Sequence, residues 1–392
     1  MTEGLLAKAT ESWLLDRALD GAGLADVLVG LCARVDAAGV PVCRAVIAWP
    51  TLHPLFDAET LNWTRGRGVV LHQMPHHPEE RPEWLASPLR HLLVGKLDWL
   101  RRRLDGPDAV VDFPLLAELA AEGITDYVAV HIVFDAPRAA GEEDRGCLVT
   151  WATDRPGGFT ESHLAFLAGL RRGIGIVART ALLSRIATNI AETYLGRRAG
   201  GDVLAGSIRR GDGHAIEAVI WYSDLRRSTA LAERLPRDAF LALLNRYFEC
   251  TAGAVETAGG EVLEFIGDAV LAVFPIVGEA DAGAAVRAAT AAADDALARL
   301  AALGGDEVRF GVALAVGEVM FGNIGIPARL AFSVIGPTVN AVARIEAATK
   351  LIGAPVLATA AVAAVDPDGW HPVGAHALAG FAEPVELYAR AR

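Results

Sequence analysis

Residues 218–229 read Ala-Val-Ile-Trp-Tyr-Ser-Asp-Leu-Arg-Arg-Ser-Thr. The first part of this stretch is an apolar and aromatic run, which is typical of a buried strand, and Asp224 stands where the run ends. A second aspartate, Asp268, follows Phe265-Ile266-Gly267 in a short turn between two further apolar runs, 262–263 and 269–274. A carboxylate at the end of a buried strand needs a cation or a hydrogen-bond donor, because apolar neighbours cannot compensate its lost hydration.

Asp224 and Asp268 therefore predict a shared site. Two carboxylates that converge repel each other unless a divalent cation lies between them. A pair of metal ions held by carboxylates is a known solution for phosphoryl chemistry. For either aspartate alone, capping of a helix or a turn remains an alternative interpretation.

Residues 215–392 resemble the catalytic domain of class III adenylate and guanylate cyclases, and the resemblance covers a little under half of the chain. Three matching segments occur in the family's order, at 221–229, 259–268 and 332–344. The resemblance implies an α+β fold with a ferredoxin-like βαββαβ core. The predicted elements are a strand at 215–223, a helix from about Pro236, a hairpin at 261–274, a helix at 279–302, two paired strands at 308–317 and 318–324, and a helix at 338–350.

The first two matching segments supply the predicted metal and phosphate ligands. The resemblance implies that Asp224 and Asp268, with the backbone carbonyl of Leu225, hold two Mg²⁺ or Mn²⁺ ions in each site. It also implies that Arg226, Ser228 and Thr229 bind the substrate. The backbone N–H groups at a helix start favour anions, which suits a triphosphate.

Asn340 and Arg344 are four residues apart, so they share one face of the predicted helix. In the family the asparagine orients the ribose and the arginine stabilises charge on the α-phosphate, while the 3′-oxygen attacks and pyrophosphate leaves. The family takes the metal ligands from one subunit and the purine-binding pair, the asparagine and the arginine from the other. This chain carries both sets, so the resemblance implies a homodimer with composite active sites.

The purine-binding positions differ from the adenylate cyclase pattern. The family's lysine is replaced by Glu264, and Ser333 replaces its aspartate or threonine partner. An ionised glutamate accepts hydrogen bonds from guanine N–H groups, and a serine hydroxyl can donate to guanine O6. These two residues therefore favour GTP as the substrate. Family frequency favours ATP instead, because most bacterial members with this layout are adenylate cyclases. Ala379 stands where many members have a basic residue near the polyphosphate, so a nucleotide-binding regulator without turnover is a further alternative.

Composition limits the other possible partners. The chain has 392 residues, 53% of them hydrophobic, and a net charge of −12. The negative charge argues against nucleic acid and anionic membrane surfaces as partners. Charged residues interrupt the apolar runs, so no transmembrane helix is expected, and the N-terminus does not resemble a signal peptide. The four cysteines are scattered without a Cys-x-x-Cys pair, which indicates reduced thiols in a cytoplasmic protein.

The N-terminal half predicts a regulatory region. Residues 1–158 alternate helical and strand-like segments, which indicates an α+β domain similar in architecture to GAF domains, with an unknown small-molecule or protein input. His72, His76 and His77 are interpreted as part of a polar loop rather than a metal site. Residues 159–214 are predicted to form one long helix or two stacked helices over 161–194, followed by a glycine-rich linker. The helix either packs on its own domain or dimerises as a signalling helix.

Overall fold

A computed structural model describes residues 3–77, 79–135, 145–278, 281–304 and 308–391. The chain divides into two compact units, Met1–Ile190 and Ala191–Arg392. The domain boundaries predicted after residues 158 and 214 stay predictions, and the observed division lies between them, within the helix that begins at Arg171.

The first unit contains a six-stranded antiparallel sheet with the order β3-β2-β1-β6-β5-β4. Its strands are β1 (Arg44–Pro50), β2 (Phe56–Thr64), β3 (Gly68–Pro75), β4 (Trp99–Arg103), β5 (Asp126–Asp135) and β6 (Arg145–Thr153). Its helices are α1 (Glu3–Leu19), α2 (Leu24–Ala37), α3 (Pro82–Leu85), α4 (Pro88–Val94), α5 (Pro114–Ala121), α6 (Glu161–Gly169) and α7 (Arg171–Leu195).

Both faces of this sheet are covered, because successive side chains of a strand point to opposite sides. On β5, Val128 and Val130 join a core formed with α1, α2, α6 and α7, whereas Tyr127 and Ala129 join a second core formed with α4 and α5. The α+β class is confirmed for this unit. Its similarity to GAF domains stays a prediction.

Helices α6 and α7 follow each other with a break at Leu170, so of the two predicted alternatives for 161–194 the structure shows two helices. Residues 161–195 contain a window with a mean hydropathy of 1.2, of which 28% is buried, and by length and composition alone this stretch could cross a membrane. Ile174, Val177 and Leu182 of α7 belong to the core of the first unit. The expected absence of a membrane span stays a prediction.

The second unit has the predicted βαββαβ core. Its strands pair antiparallel in the order β10-β7-β9-β8, and α10 and α11 pack on one face with Trp221 in the core beneath them. The core elements are β7 (Gly213–Leu225), α9 (Ser228–Arg234), α10 (Arg237–Thr257), β8 (Glu261–Ile266), β9 (Ala269–Pro275), α11 (Ala282–Leu303) and β10 (Phe310–Ile326). Residues 279 and 280, the predicted start of α11, lie outside the described residues.

The additions to this core extend the sheet and cover its second face. They are α8 (Arg197–Leu204), β11 (Arg329–Ile335), α12 (Pro337–Ile352), β12 (Val356–Thr359), α13 (Ala360–Ala363), β13 (Trp370–His376) and β14 (Val385–Arg390). Helix α8 lies inside the predicted glycine-rich linker, and its Ala199 belongs to the core of the second face. This part of the linker is therefore an ordered element of the second unit.

The predicted division of 308–324 into two paired strands is wrong. Residues 310–324 belong to one strand, β10, whose pairing with β7 continues without interruption through Gly317 and Glu318. Gly317 marks a close approach instead of a turn, because a Cβ atom there would overlap the side chain of Thr338 on α12. The partner that follows β10 is β11, which pairs with its second half.

Candidate active site

Asp224 and Asp268 meet at one end of the central strands. Asp224 lies near the end of β7, paired with Gly311 of β10 on one side and Ala269 of β9 on the other. The β8–β9 turn brings Asp268 beside it, and the Leu225 N–H donates to the Asp268 carbonyl oxygen at 3.3 Å. Gly267 has a φ of 66°, a left-handed conformation that glycine adopts at little cost and that permits this tight turn.

The Asp224 carboxylate is destabilised in its ionised form. Burial raises the pKa of Asp224, and the neighbouring Asp268 carboxylate raises it further. A divalent cation would relieve both effects. The described residues contain no cluster of three or more His, Cys, Asp or Glu side chains suited to a metal. Two carboxylates nevertheless fit Mg²⁺, which commonly binds one or two carboxylates and completes its shell with substrate phosphates and water.

Lys350 places a positive charge at this site. Its Nζ lies 3.7 Å from Asp224 Oδ2, and it extends from the last turn of α12. This charge lowers the pKa of Asp224, against the two larger effects that raise it. Lys350 therefore partly neutralises the carboxylate pair.

Arg226 points toward α12. Its Nη1 lies 3.2 Å from Glu346 Oε1, and its Nη2 donates to the Thr349 hydroxyl. The Glu346 side chain is only 3% exposed, and burial raises its pKa while Arg226 opposes that rise. The Arg226 guanidinium is thus already engaged by residues of its own chain. Its predicted contact with substrate stays a prediction.

Helix α9 begins four residues after Asp224. Arg227 precedes the helix with a φ of 58°, and no side chain caps the helix start by a hydrogen bond. Ser228 is half-buried and Thr229 is exposed in the first turn. The predicted contacts of both residues with a triphosphate stay predictions.

Glu264 and Ser333 come together although they are far apart in the sequence. The Ser333 hydroxyl donates to Glu264 Oε2 at 3.2 Å. Ser333 is buried on β11, whereas Glu264 is exposed on β8, just after a register shift between Val262 and Glu264. Such a bulge re-aims the side chains that follow it. The two residues predicted to contact the purine therefore form one hydrogen-bonded pair.

Asn340 and Arg344 lie on the exposed face of α12. The opposite, buried face carries Val342, Ile345 and Glu346. Ala379 is exposed in the segment between β13 and β14. The structure thus separates Asn340 and Arg344, which face solvent, from Glu346, which packs against β7 through Arg226.

Sequence reasoning missed Glu346, Thr349 and Lys350. A signal was available for Glu346, because it lies four residues after Val342 and next to Ile345, within the apolar stripe of α12. A charged side chain in such a stripe requires a partner. No such signal exists for Lys350, because a lysine in the last turn of a helix is ordinary.

The first unit has a separate open groove of about 630 Å³. It is lined by apolar residues of β5, among them Phe134, and by Arg171, Arg172 and Arg179 of α7. Arg171 is already engaged, since its Nη2 donates to the His131 carbonyl oxygen at 2.7 Å and lies 3.2 Å from Asp98 Oδ1.

Comparison with known proteins supports the C-terminal assignment. An uncharacterized protein of Mycobacterium tuberculosis (strain CDC 1551 / Oshkosh) is 30% identical over 201 residues, which are 49% of this chain and 35% of that protein. An adenylate cyclase of Anabaena cylindrica is 29% identical over 150 residues, which are 36% of this chain and 29% of that protein. This chain therefore spans about a third of these two relatives.

A solved structure of a bacterial light-regulated adenylyl cyclase is 27% identical, with a TM-score of 0.45 over 54% of this chain and 64% of that one. The family described as the adenylate and guanylate cyclase catalytic domain matches residues 214–361. That range contains the two aspartates, the Glu264–Ser333 pair and the whole of α12. Residues 214–361 of this chain form a class III adenylate/guanylate cyclase catalytic domain and belong to that family.

Proposed function

We propose that this chain is a purine nucleoside triphosphate cyclase that converts ATP to 3′,5′-cyclic AMP and pyrophosphate. The observation that carries the proposal is the convergence of Asp224 and Asp268 at the end of β7, within a domain of the cyclase family. ATP is the first choice of substrate because relatives such as that of Anabaena cylindrica are named adenylate cyclases.

Asp224 and Asp268, with the Leu225 carbonyl, would hold two Mg²⁺ or Mn²⁺ ions. When bound there, divalent cations lower the pKa of the ribose 3′-hydroxyl and neutralise phosphate charge. The 3′-oxygen forms a bond to the α-phosphorus, the bond from that phosphorus to the bridging oxygen breaks, and pyrophosphate leaves. The hydroxyl proton passes to water, and the protein forms no covalent intermediate.

Asn340 and Arg344 would act on substrate bound by a partner subunit. Both are exposed on α12, so they are available to a second copy of the chain. Asn340 orients the ribose. Arg344 stabilises the charge that develops on the α-phosphate, because its guanidinium is always ionised and can bind phosphate oxygens through two N–H groups.

GTP is the second candidate substrate, and the Glu264–Ser333 pair favours it. With Ser333 donating to it, the Glu264 carboxylate is held as an acceptor at the exposed end of the pair. Guanine presents two N–H donors at N1 and N2, whereas adenine N1 is itself an acceptor and would face the carboxylate unfavourably.

Mixed dimers test the composite site. Chains with Asp224→Ala and chains with Arg344→Ala should each be inactive alone, and a purified heterodimer should regain activity because it contains one intact site. The assay supplies Mn²⁺ with ATP or GTP and identifies the cyclic product by mass. An inactive heterodimer, shown to have formed, would contradict the composite site. A wild-type chain that binds nucleotide without making product would instead support a regulator of cyclase fold.

The N-terminal unit is the proposed receiver of a regulatory input. The groove beside β5 and α7 combines apolar and guanidinium groups, which suits an anionic small molecule or an acidic segment of a protein. Substitution of Arg172 by Glu should weaken any such input and leave the unstimulated cyclase rate close to that of wild type.

A further inference from the structure

The Arg226–Glu346–Thr349 cluster lies where α12 contacts the turn that follows β7. We call β7 the metal strand, because it carries Asp224. Thr349 Oγ1 lies 3.3 Å from Glu346 Oε1, and Arg226 contacts both residues. All three side chains occupy the space above Gly311, where a Cβ atom would overlap each of them. Gly311 is the β10 residue paired with Asp224. The cluster is therefore built directly beside the first metal carboxylate.

Chain connectivity and shared contacts tie the cluster to Asp224. Asp224 is the next-to-last residue of β7, and Arg226 is the first residue after that strand. Both side chains contact α12, because Arg226 meets Glu346 and Asp224 meets Lys350. A displacement of the cluster would move the backbone that carries Asp224.

Helix geometry ties the same cluster to Arg344. Arg344 and Glu346 are two residues apart on α12, which places them about 200° apart around the helix and about 3 Å apart along it. Arg344 is exposed and Glu346 is buried. A rotation or shift of the helix at Glu346 therefore moves Arg344 by a similar amount.

We propose that the Arg226–Glu346–Thr349 cluster is a positioning joint that sets Asp224 for the chain's own site and Asn340 and Arg344 for the partner's site. The inference rests on the proposed composite-site cyclase. None of the three residues needs to touch substrate. In a dimer, each joint would adjust two active sites at once, the one that uses its metal strand and the one that uses its helix.

The test places the same change on either side of one active site. One chain carries Asp224→Ala and supplies α12, the other carries Arg344→Ala and supplies the metal strand, and the tagged heterodimer has one competent site. The double change Arg226→Gln, Glu346→Gln is added to either chain. Removing both charges avoids leaving one of them buried and unpaired.

Two different responses are expected. In the chain that supplies the metal strand, the double change should raise the half-saturating Mn²⁺ concentration about fivefold or more. In the chain that supplies α12, it should lower kcat about tenfold and leave the Mn²⁺ dependence unchanged, because a misplaced charge is lost in the transition state alone. If the double change lowered kcat equally in either chain and left the Mn²⁺ dependence unaltered, the proposed positioning role of the cluster would be wrong.

Three controls separate this result from a loss of folding. Arg390→Gln breaks another part-buried arginine cluster of this unit, with Asp294 and Asp366, and should not reproduce either response. Thr349→Val removes only a hydroxyl and should change the Mn²⁺ dependence and kcat in the same directions, but by less. This variant tests the proposal even if the double variant does not fold.

Direct Mn²⁺ binding supplies the remaining control. Electron paramagnetic resonance on the Arg226→Gln, Glu346→Gln homodimer should show weakened binding without any turnover. If the parent heterodimer is inactive, the composite-site proposal is wrong. The Mn²⁺ measurement still tests the positioning role of the cluster, since an unchanged Mn²⁺ affinity would contradict that role.

Discussion

Replacing Lys350 by methionine should make the protein bind divalent cations more tightly. Lys350 Nζ lies 3.7 Å from Asp224 Oδ2, with side chains 49% and 26% exposed. At that separation the attraction is about 1 kcal/mol in water and about 4 kcal/mol at an effective dielectric constant of 20. The exposure of Lys350 favours the lower figure, in the range measured for exposed pairs. Lys350 competes with a divalent cation for the Asp224 carboxylate. Removing about 1 kcal/mol of this competing attraction corresponds to about fivefold tighter binding of the cation.

The assay is a Mn²⁺ titration without nucleotide, followed by electron paramagnetic resonance at neutral pH. Lys350→Arg, which keeps the charge, is the matched control and should bind Mn²⁺ nearly as wild type does. The chain has three lysines, Lys8, Lys96 and Lys350, so NMR of ¹³C-methylated lysines should also show the Lys350 signal shift when Mg²⁺ is added. Unchanged or weaker Mn²⁺ binding by Lys350→Met would refute the reasoning.

Four further outcomes are expected. Asp224→Ala and Asp268→Ala should each abolish cyclisation while circular dichroism and gel filtration remain those of wild type, and activity at ordinary Mg²⁺ in either variant would contradict the metal assignment. Glu264→Lys with Ser333→Thr should raise the ratio of kcat/KM for ATP over GTP about tenfold, since a mismatched buried hydrogen bond costs about 1–3 kcal/mol; an unchanged ratio would mean that Glu264 does not face the base. Without divalent cations, the raised pKa of Asp224 stabilises the folded state at pH values below the unfolded pKa of about 3.9. That stabilisation is lost as the pH rises through the raised pKa of the folded state. Denaturant titrations of Asp224→Asn should lack this part of the pH dependence of the free energy of unfolding. The four buried thiols, whose pKa values burial raises, to about 11 for Cys43, should react with a thiol reagent only after unfolding, and rapid native labelling would contradict this.

The convergence of Asp224 and Asp268 could be predicted from sequence because each aspartate conflicts with its surroundings. Asp224 follows a run that only burial explains, and Asp268 stands between two apolar segments. Packing gives no reason for a carboxylate at either place, so chemistry is the remaining explanation. The structure places the two residues together, joined through the backbone of Leu225.

The prediction that 308–324 would form two strands was wrong because it used a local sequence pattern alone. A glycine within an apolar run is ordinarily taken as a turn or a bulge, and Gly317 occurs in such a run. Its real cause is the side chain of Thr338, which lies above it on α12. A close approach between a strand and a helix that begins 20 residues later depends on tertiary packing, which a local pattern does not contain.

The arginine cluster shows why residue roles are harder to predict than residue locations. The sequence places Arg226 beside Asp224, because it follows that residue by two positions. Its partners, Glu346 and Thr349, are more than a hundred positions away, and only the docking of α12 on β7 brings them together. Since Glu346 is buried and Arg344 is exposed on the same turn, the helix that presents Arg344 outward is held from its inner face by an ion pair at the metal strand. On the proposed positioning role, this ion pair sets where α12 presents Arg344, so the precision of the site would depend on residues behind the helix as well as on Arg344 itself.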